Sequence, residues 1–199
     1  MRQELVDTTL AYYDCQCIRF GDFLLRSGRR SPIYINFRTL RSAPAIRIQT
    51  ARLLLQLTAD LEFDLLADIP QGVTPIVTSM SDISGIPFVS ARELKDHGAD
   101  DEIDGLYEAG QRVLVVDDVA TSGGSFLETT EILTRHGLIV VGLLVILNRR
   151  EGAQERLAKE NYQLRALFDF PLEILEVGFE HGRFPSQEVY ETSRRPFET

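Results

Sequence analysis

The 199-residue chain has no apolar run approaching the roughly 18 residues needed to span a bilayer, and no apolar segment follows its opening Met1-Arg2-Gln3-Glu4. A membrane anchor and an export leader are therefore not expected, and the sequence reads as soluble and cytoplasmic. Cysteine is scarce: Cys15 and Cys17 lie two positions apart with no further Cys and no nearby His. That excludes a disulfide framework and a zinc spacing and leaves ordinary core or surface residues. No Ser/Gly/Pro-rich linker and no internal repeat divides the chain, so one domain is expected over 1–199. Cationic excess is also missing. A formal net charge of −9 argues against a nucleic-acid partner, whose phosphate backbone calls for clustered Lys and Arg. A small phosphorylated ligand stays open, because backbone N–H groups at a helix start and one or two cations suffice to hold it.

What is present is enough apolar material, 44% of residues, for one sizeable core. Glu4 to Tyr13 reads as a helix, and Cys17 to Phe23 as a short strand and turn. The basic turn Arg26 to Pro32, with Arg29 and Arg30 as surface charges, leads into the alternating strand Ile33-Tyr34-Ile35-Asn36-Phe37, which makes a hairpin. Pro44 opens a helix with Ile48, Ala51, Leu54 and Leu55 at helical spacing and Arg47, Gln49 and Arg52 facing water. Strands and helices then alternate: a strand at 63–67, a turn at 68–75, a helix at 76–84 and a strand at 86–89. A polar stretch from Ser90 to Gly110 follows, too long for an ordinary connection. After it come a buried strand at 113–116, a helix from Phe126 to His136 ending at Gly137, and a nearly continuous apolar strand at 138–147. Such alternation predicts an α/β fold with a mostly parallel sheet and helices on both faces. The tail from His181 to Thr199 has no clear period, and its role is unreadable.

The chemistry concentrates after the strand at 113–116. Asp117 and Asp118 stand at its C-terminal end, where open α/β sheets bind ligands. Thr121, Ser122, Gly123, Gly124 and Ser125 precede the next helix, so their N–H groups can converge on a phosphate. The carboxylates would repel a bare phosphate, whereas adjacent ribose hydroxyls can donate to both. Singly, a Gly-Gly pair also ends strands and an Asp also caps helices; together at a strand end they point to a sugar phosphate. No Lys follows the glycines, which separates the loop from a P-loop.

The run Asp117-Asp118-Val119-Ala120-Thr121-Ser122-Gly123-Gly124-Ser125 resembles the donor-binding signature of type I phosphoribosyltransferases. Three further segments resemble the orotate-using branch, in order over roughly residues 10–165: the hood motif from Phe20 to Pro32, the mobile-loop segment Lys95-Asp96-His97-Gly98, and the base-holding Leu147-Asn148-Arg149. The resemblance implies a type I fold with a small hood over 1–40, magnesium carried by phosphoribosyl pyrophosphate (PRPP) without protein ligands of its own, and a homodimer. It assigns Arg26, Arg92 and Asp117 through Ser125 to PRPP, and Arg26, Thr121 and Arg149 to orotate. Lys95, His97, Asp117 and Asp118 take the catalytic roles. Read without the resemblance, Lys95 and His97 are also what a solvated charged loop contains. His136 at a helix end suits the dipole there, and His181 lies in the unreadable tail.

The chain departs from that pattern on the pyrophosphate side. Arg26 replaces a Lys, Ala91 replaces an Arg, Gln71 and Gly72 occupy a turn that elsewhere carries an aromatic or basic residue, and Asp100, Asp101, Glu102 and Asp104 replace lysines. Ala91 removes a cation from a polyanion's surroundings, and the acidic residues after Gly98 add negative charge there. The sequence leaves three readings: an orotate phosphoribosyltransferase, a transferase for another base, or a catalytically weak module that binds PRPP or a nucleotide.

Overall fold

The computed structural model describes residues 2–24, 30–91 and 102–197. The chain opens with helix α1 (Arg2–Asp14) and an antiparallel hairpin of β1 (Ile18–Leu24) and β2 (Arg30–Ile35), the hood expected from the sequence. Arg30 belongs to β2, where its guanidinium chelates Asp22 across the hairpin. A 3-10 turn at Phe37–Ser42, capped by Asn36, then passes the chain to α2 (Pro44–Leu57), which starts at the proline as expected.

The six-stranded sheet follows. Its strands are β3 (Leu65–Asp68), β4 (Phe88–Ala91), β5 (Ile103–Asp104), β6 (Arg112–Ala120), β7 (Ile139–Asn148) and β8 (Leu164–Phe168). They lie in the order β5-β4-β3-β6-β7-β8, all neighbours parallel except β4 with β5. Connecting helices are α3 (Thr74–Ser84), α4 (Gly124–Arg135), α5 (Ala153–Lys159) and α6 (Pro171–Glu180).

Alternation along the central strands explains the two layers of helices. Leu114 and Val116 of β6, with Leu144 and Ile146 of β7, join a core with Ala51, Leu54, Ile76 and Met80 of α2 and α3. Their neighbours Val113, Val115, Leu143 and Val145 point the other way, against Phe126, Leu133 and Leu157 of α4 and α5. Strands buried on both faces read as continuous apolar runs, which is why β6 and β7 are legible in the sequence.

Three expectations need correction. Arg47 is only partly turned to water: its Nε donates to Ser79 Oγ at 3.0 Å, in the seam between α2 and α3. The 113–116 strand is longer than its apolar part, because pairing with β7 carries it through Val119↔Leu147 and Ala120↔Asn148. The tail is ordered as α7 (Gln187–Arg194) and a 3-10 turn at Arg195–Phe197. Ser186 caps α7 by accepting from Val189 N–H, and Tyr190 stacks on Phe179 with centroids 4.0 Å apart. The polar stretch from Ser90 includes β4's end and β5, while its middle, 92–101, falls outside the described residues.

Phe126 is 1% exposed and anchors α4 to the sheet. Phe126→Ala is expected to lower the free energy of unfolding by about 3–5 kcal/mol in a urea titration. A loss below about 1 kcal/mol would mean that α4 is not seated as described.

Candidate functional site

The strand order sets where a ligand can sit. β3 connects through α3 to β4 on one side, and β6 through α4 to β7 on the other, so the loops after β3 and β6 diverge. A crevice opens there at the carboxyl ends of the strands. Its cavity measures about 690 Å³. The loop after β3 contributes Ile69, Pro70 and Gly72, β6 and its loop Asp117, Asp118, Thr121 and Ser125, and the hood Leu24, Tyr34 and Ile35.

β6 delivers the carboxylate pair. Asp118 N–H donates to Asp117 Oδ1 at 2.8 Å, which fixes the first carboxylate against the backbone of the second. A Cβ at Gly72 would come within 2.7 Å of Asp118 Oδ2, so the glycine noted as a departure is what lets the two loops close around this carboxylate. Behind the turn, fully buried Asp68 accepts hydrogen bonds from Thr74 Oγ1 and Ser90 Oγ, tying the start of α3 to β4. The Pro70–Gln71 peptide in this turn is cis, and Arg41 donates to the Gln71 carbonyl.

The loop after β6 leaves the start of α4 open. Gly123 adopts φ 75°, no side chain caps the helix, and no acidic residue occupies its first turn. Thr121, Ser122 and Ser125 are exposed beside these N–H groups. Ala153 N–H donates to Thr121 O at 3.0 Å, and Arg149 N–H to Ala120 O at 2.9 Å, so α5 and the end of β7 brace the loop. A Cβ at Gly123 would lie 3.2 Å from Leu157, so the close helix contact also favours glycine. An anion seated here meets N–H groups that, among the described residues, no side chain caps, and the positive end of the helix dipole.

A second recess of about 70 Å³ adjoins the crevice and shares Tyr34, Ile35, Val119 and Arg149 with it. Its walls include Ile33, Leu147 and Phe197, and Arg149 is its cation. The guanidinium is half-buried and pairs with Glu151 at 2.8 Å.

The structure thus brings together Asp117, Asp118, Val119, Thr121, Ser125 and Arg149, with Ala120, Ser122, Gly123 and Gly124 in the same loop. Arg26, Arg92, Lys95 and His97 lie outside the described residues. His136 and His181 are elsewhere: His136 contacts Glu102 and Tyr107, and His181 contacts the Val177 carbonyl. Sequence reasoning missed Arg38, which lines the crevice, Glu151, which holds Arg149, and Arg156, whose Nη1 lies 3.5 Å from Ser122 O. The segment Ser31-Pro32-Ile33-Tyr34-Ile35-Asn36-Phe37-Arg38 carried a signal for the first, since a cation just beyond the hood strand faces the sheet's carboxyl edge.

Protein atoms crowd Asp117, although part of its surface opens to the cavity. Burial pushes its carboxyl well above the usual carboxylate range and the neighbouring Asp118 charge adds to the shift, while the Asp118 N–H and Arg38 oppose it. A folded-state pKa above the unfolded one means that Asp117's contribution to stability is fully present below the ordinary carboxylate range and is lost as pH rises through the raised value. Asp117→Asn is therefore expected to raise the thermal midpoint near neutral pH, with the gain shrinking in acid. A variant no more stable than the parent at neutral pH would contradict this electrostatic account.

Comparison with known proteins follows the same lines. A model of the phosphoribosyl transferase domain matches residues 38–172. The orotate phosphoribosyltransferase of Pyrococcus abyssi is 36% identical over 183 residues, 90% of this chain and 96% of that protein. A crystal structure of orotate phosphoribosyltransferase from Aeropyrum pernix superposes with TM-score 0.78 at 31% identity, covering 88% of this chain and 98% of that one. UMP synthase of Leishmania donovani superposes with TM-score 0.85 at 31% identity over 96% of this chain, which spans 41% of that longer chain. An open start of α4, a carboxylate pair at the end of β6 and these matches agree: the chain belongs to the phosphoribosyl transferase domain family, in its orotate phosphoribosyltransferase branch.

Proposed function

We propose that the chain transfers the phosphoribosyl group of PRPP to a ring nitrogen of orotate, giving orotidine 5′-monophosphate and pyrophosphate, as a single phosphoribosyltransferase domain. One observation carries this reading: a sugar-phosphate crevice and an apolar recess ending in a guanidinium share four residues and so form one continuous site.

The 5′-phosphate rests on the N–H groups of Thr121 through Ser125 at the start of α4. Asp117 and Asp118 accept the ribose hydroxyls, and the Arg149 guanidinium takes the carboxylate of orotate, for which its planar fork is well shaped. Glu151 must yield or share that guanidinium as the substrate carboxylate arrives. The new C–N bond forms at C1 as the C1–O bond breaks, and the bonding pair leaves with pyrophosphate. Positive charge developing on the ribose lies near two carboxylates, so positioning and electrostatics supply the rate enhancement without a covalent intermediate. Thr121, next to both substrates, contacts the base as well.

Lys95 and His97 neutralise the departing pyrophosphate and exclude water, Arg92 contributes to PRPP binding, and Arg26 serves both PRPP and orotate. Arg38 adds a cation on the crevice wall, and among the described residues its guanidinium has no ion-pair partner. Among those residues no group of three or more His, Cys, Asp and Glu is placed to hold a metal. Asp117 and Asp118, two carboxylates beside the proposed phosphate site, nevertheless fit magnesium carried in with the donor, which would screen the pyrophosphate charge.

Homodimer formation belongs to this reading through the resemblance of the loop around Lys95. No described helix is long and apolar enough to cross a membrane, the net charge of −9 disfavours nucleic acid, and Cys15 and Cys17 are free thiols, which suits a reducing cytoplasm. A PRPP-binding module with little turnover is the second reading, favoured by Ala91 and by the uncharged Gln71-Gly72 turn.

Orotate, PRPP and magnesium mixed with the protein should give a falling orotate absorbance. No turnover at high protein, with PRPP binding intact in calorimetry, would select the second reading. Arg149→Ala should raise KM for orotate at least tenfold, on the order of one charge-assisted hydrogen bond, and leave PRPP affinity unchanged. A change in PRPP affinity alone would remove Arg149 from the base.

A further inference from the structure

The tail that the sequence left unread ends at the base-side recess. Phe197 lines that recess together with Tyr34, Val119, Leu147 and Arg149. It comes from an element with no part in the donor loop, so its presence there calls for a separate explanation.

The packing that brings Phe197 to this place is specific. Tyr190 of α7 is 5% exposed, stacks on Phe179 of α6 and meets Phe184 edge-on at 5.2 Å, which seats α7 against the hood strand β2 and α6. The last turn then carries Phe197 onto the edge of Phe170, with centroids 6.0 Å apart and planes at 83°. Phe170 lies under the Arg150 guanidinium at 5.4 Å, and Arg150 pairs with Asp169. Asn148, 1% exposed, completes the link: its Nδ2 donates to Asp169 Oδ1 at 3.1 Å, and its Oδ1 accepts from Arg150 N–H at 3.0 Å. The residues flanking Arg149 are therefore the ones that hold the ring beneath Phe197. One network fixes the cation of the recess and its apolar wall relative to each other.

We infer that Phe197 is a specificity-determining wall of the base pocket, and that the C-terminal segment from Ser186 onward acts to place it. The chemistry fits a flat heteroaromatic ring. A guanidinium at one point of a recess fixes a carboxylate, but a ring held only there can pivot, and an aromatic edge restricts that pivot at little entropic cost. Phe197 does not line the sugar-phosphate crevice in which the carboxylate pair stands. Its removal should therefore be felt by the base and not by the donor.

The inference rests on the orotate reading, and the experiment separates the two. Steady-state kinetics with orotate and PRPP are measured for the full chain and for Phe197→Ala and Phe197→Leu. Loss of the apolar wall should raise KM for orotate by about tenfold in the Ala variant, in the range that pocket-filling groups supply, with an intermediate rise in the Leu variant. KM for PRPP and the thermal midpoint with PRPP bound should stay near those of the parent. An unchanged orotate KM in both variants overturns the inference, as does an equal rise in both KM values, which would mark a structural role. If the parent uses a different base, the orotate reading fails on its own, and the same KM split measured with that base still decides the role of Phe197.

Discussion

Two adjacent carboxylates at the end of a buried strand are the constraint on which the rest of the site depends. β6 runs through the centre of the sheet, and its continued pairing with β7 holds Asp117 and Asp118 in an extended backbone at the mouth of the crevice. Their mutual repulsion and burial are unfavourable in the free protein, which shows in the raised carboxyl of Asp117. The surroundings are arranged around that unfavourable pair. Gly72 makes room for Asp118, Arg38 offsets part of the charge, and the start of α4 lies open beside them without an acidic residue of its own.

The two ends of the site are built by different means. The end proposed for the phosphate is backbone: a left-handed Gly123, a helix start and a loop braced by α5. The end proposed for the base is side chain, with Arg149 held by Glu151 and its neighbours Asn148 and Arg150 tied to Asp169. Backbone sites tolerate changes nearby because their donors belong to every residue. Side-chain sites change character with one substitution, so differences between relatives in the base they accept are expected at Arg149, Glu151 and the walls of the recess.

What the sequence revealed follows from where each signal is stored. Val113 to Val116 and Leu138 to Leu147 were legible because strands covered on both faces lose their alternation and become apolar runs. The loop from Asp117 to Ser125 was legible because the function proposed for it needs particular residue types next to one another. Asp117 and Asp118 read as a loop because carboxylates are poor strand formers, and only pairing with β7 keeps them in the sheet. Arg47 read as solvent-facing because its partner Ser79 is 32 positions away. α7 was invisible for a related reason: it is eight residues long, and its order comes from Phe179 and Phe184, which no local period encodes. Arg156 was missed in the same way, since its place beside Ser122 appears only once α5 packs on the loop 34 positions earlier.

The central claim is that the β6 carboxylates hold a ribose while the open start of α4 holds its phosphate. A crystal structure with ribose 5-phosphate bound tests it most directly. The account predicts the phosphate within hydrogen-bond distance of the N–H groups between Thr121 and Ser125, and the sugar hydroxyls on Asp117 and Asp118. A phosphate held elsewhere, with those two carboxylates facing only solvent, would contradict it.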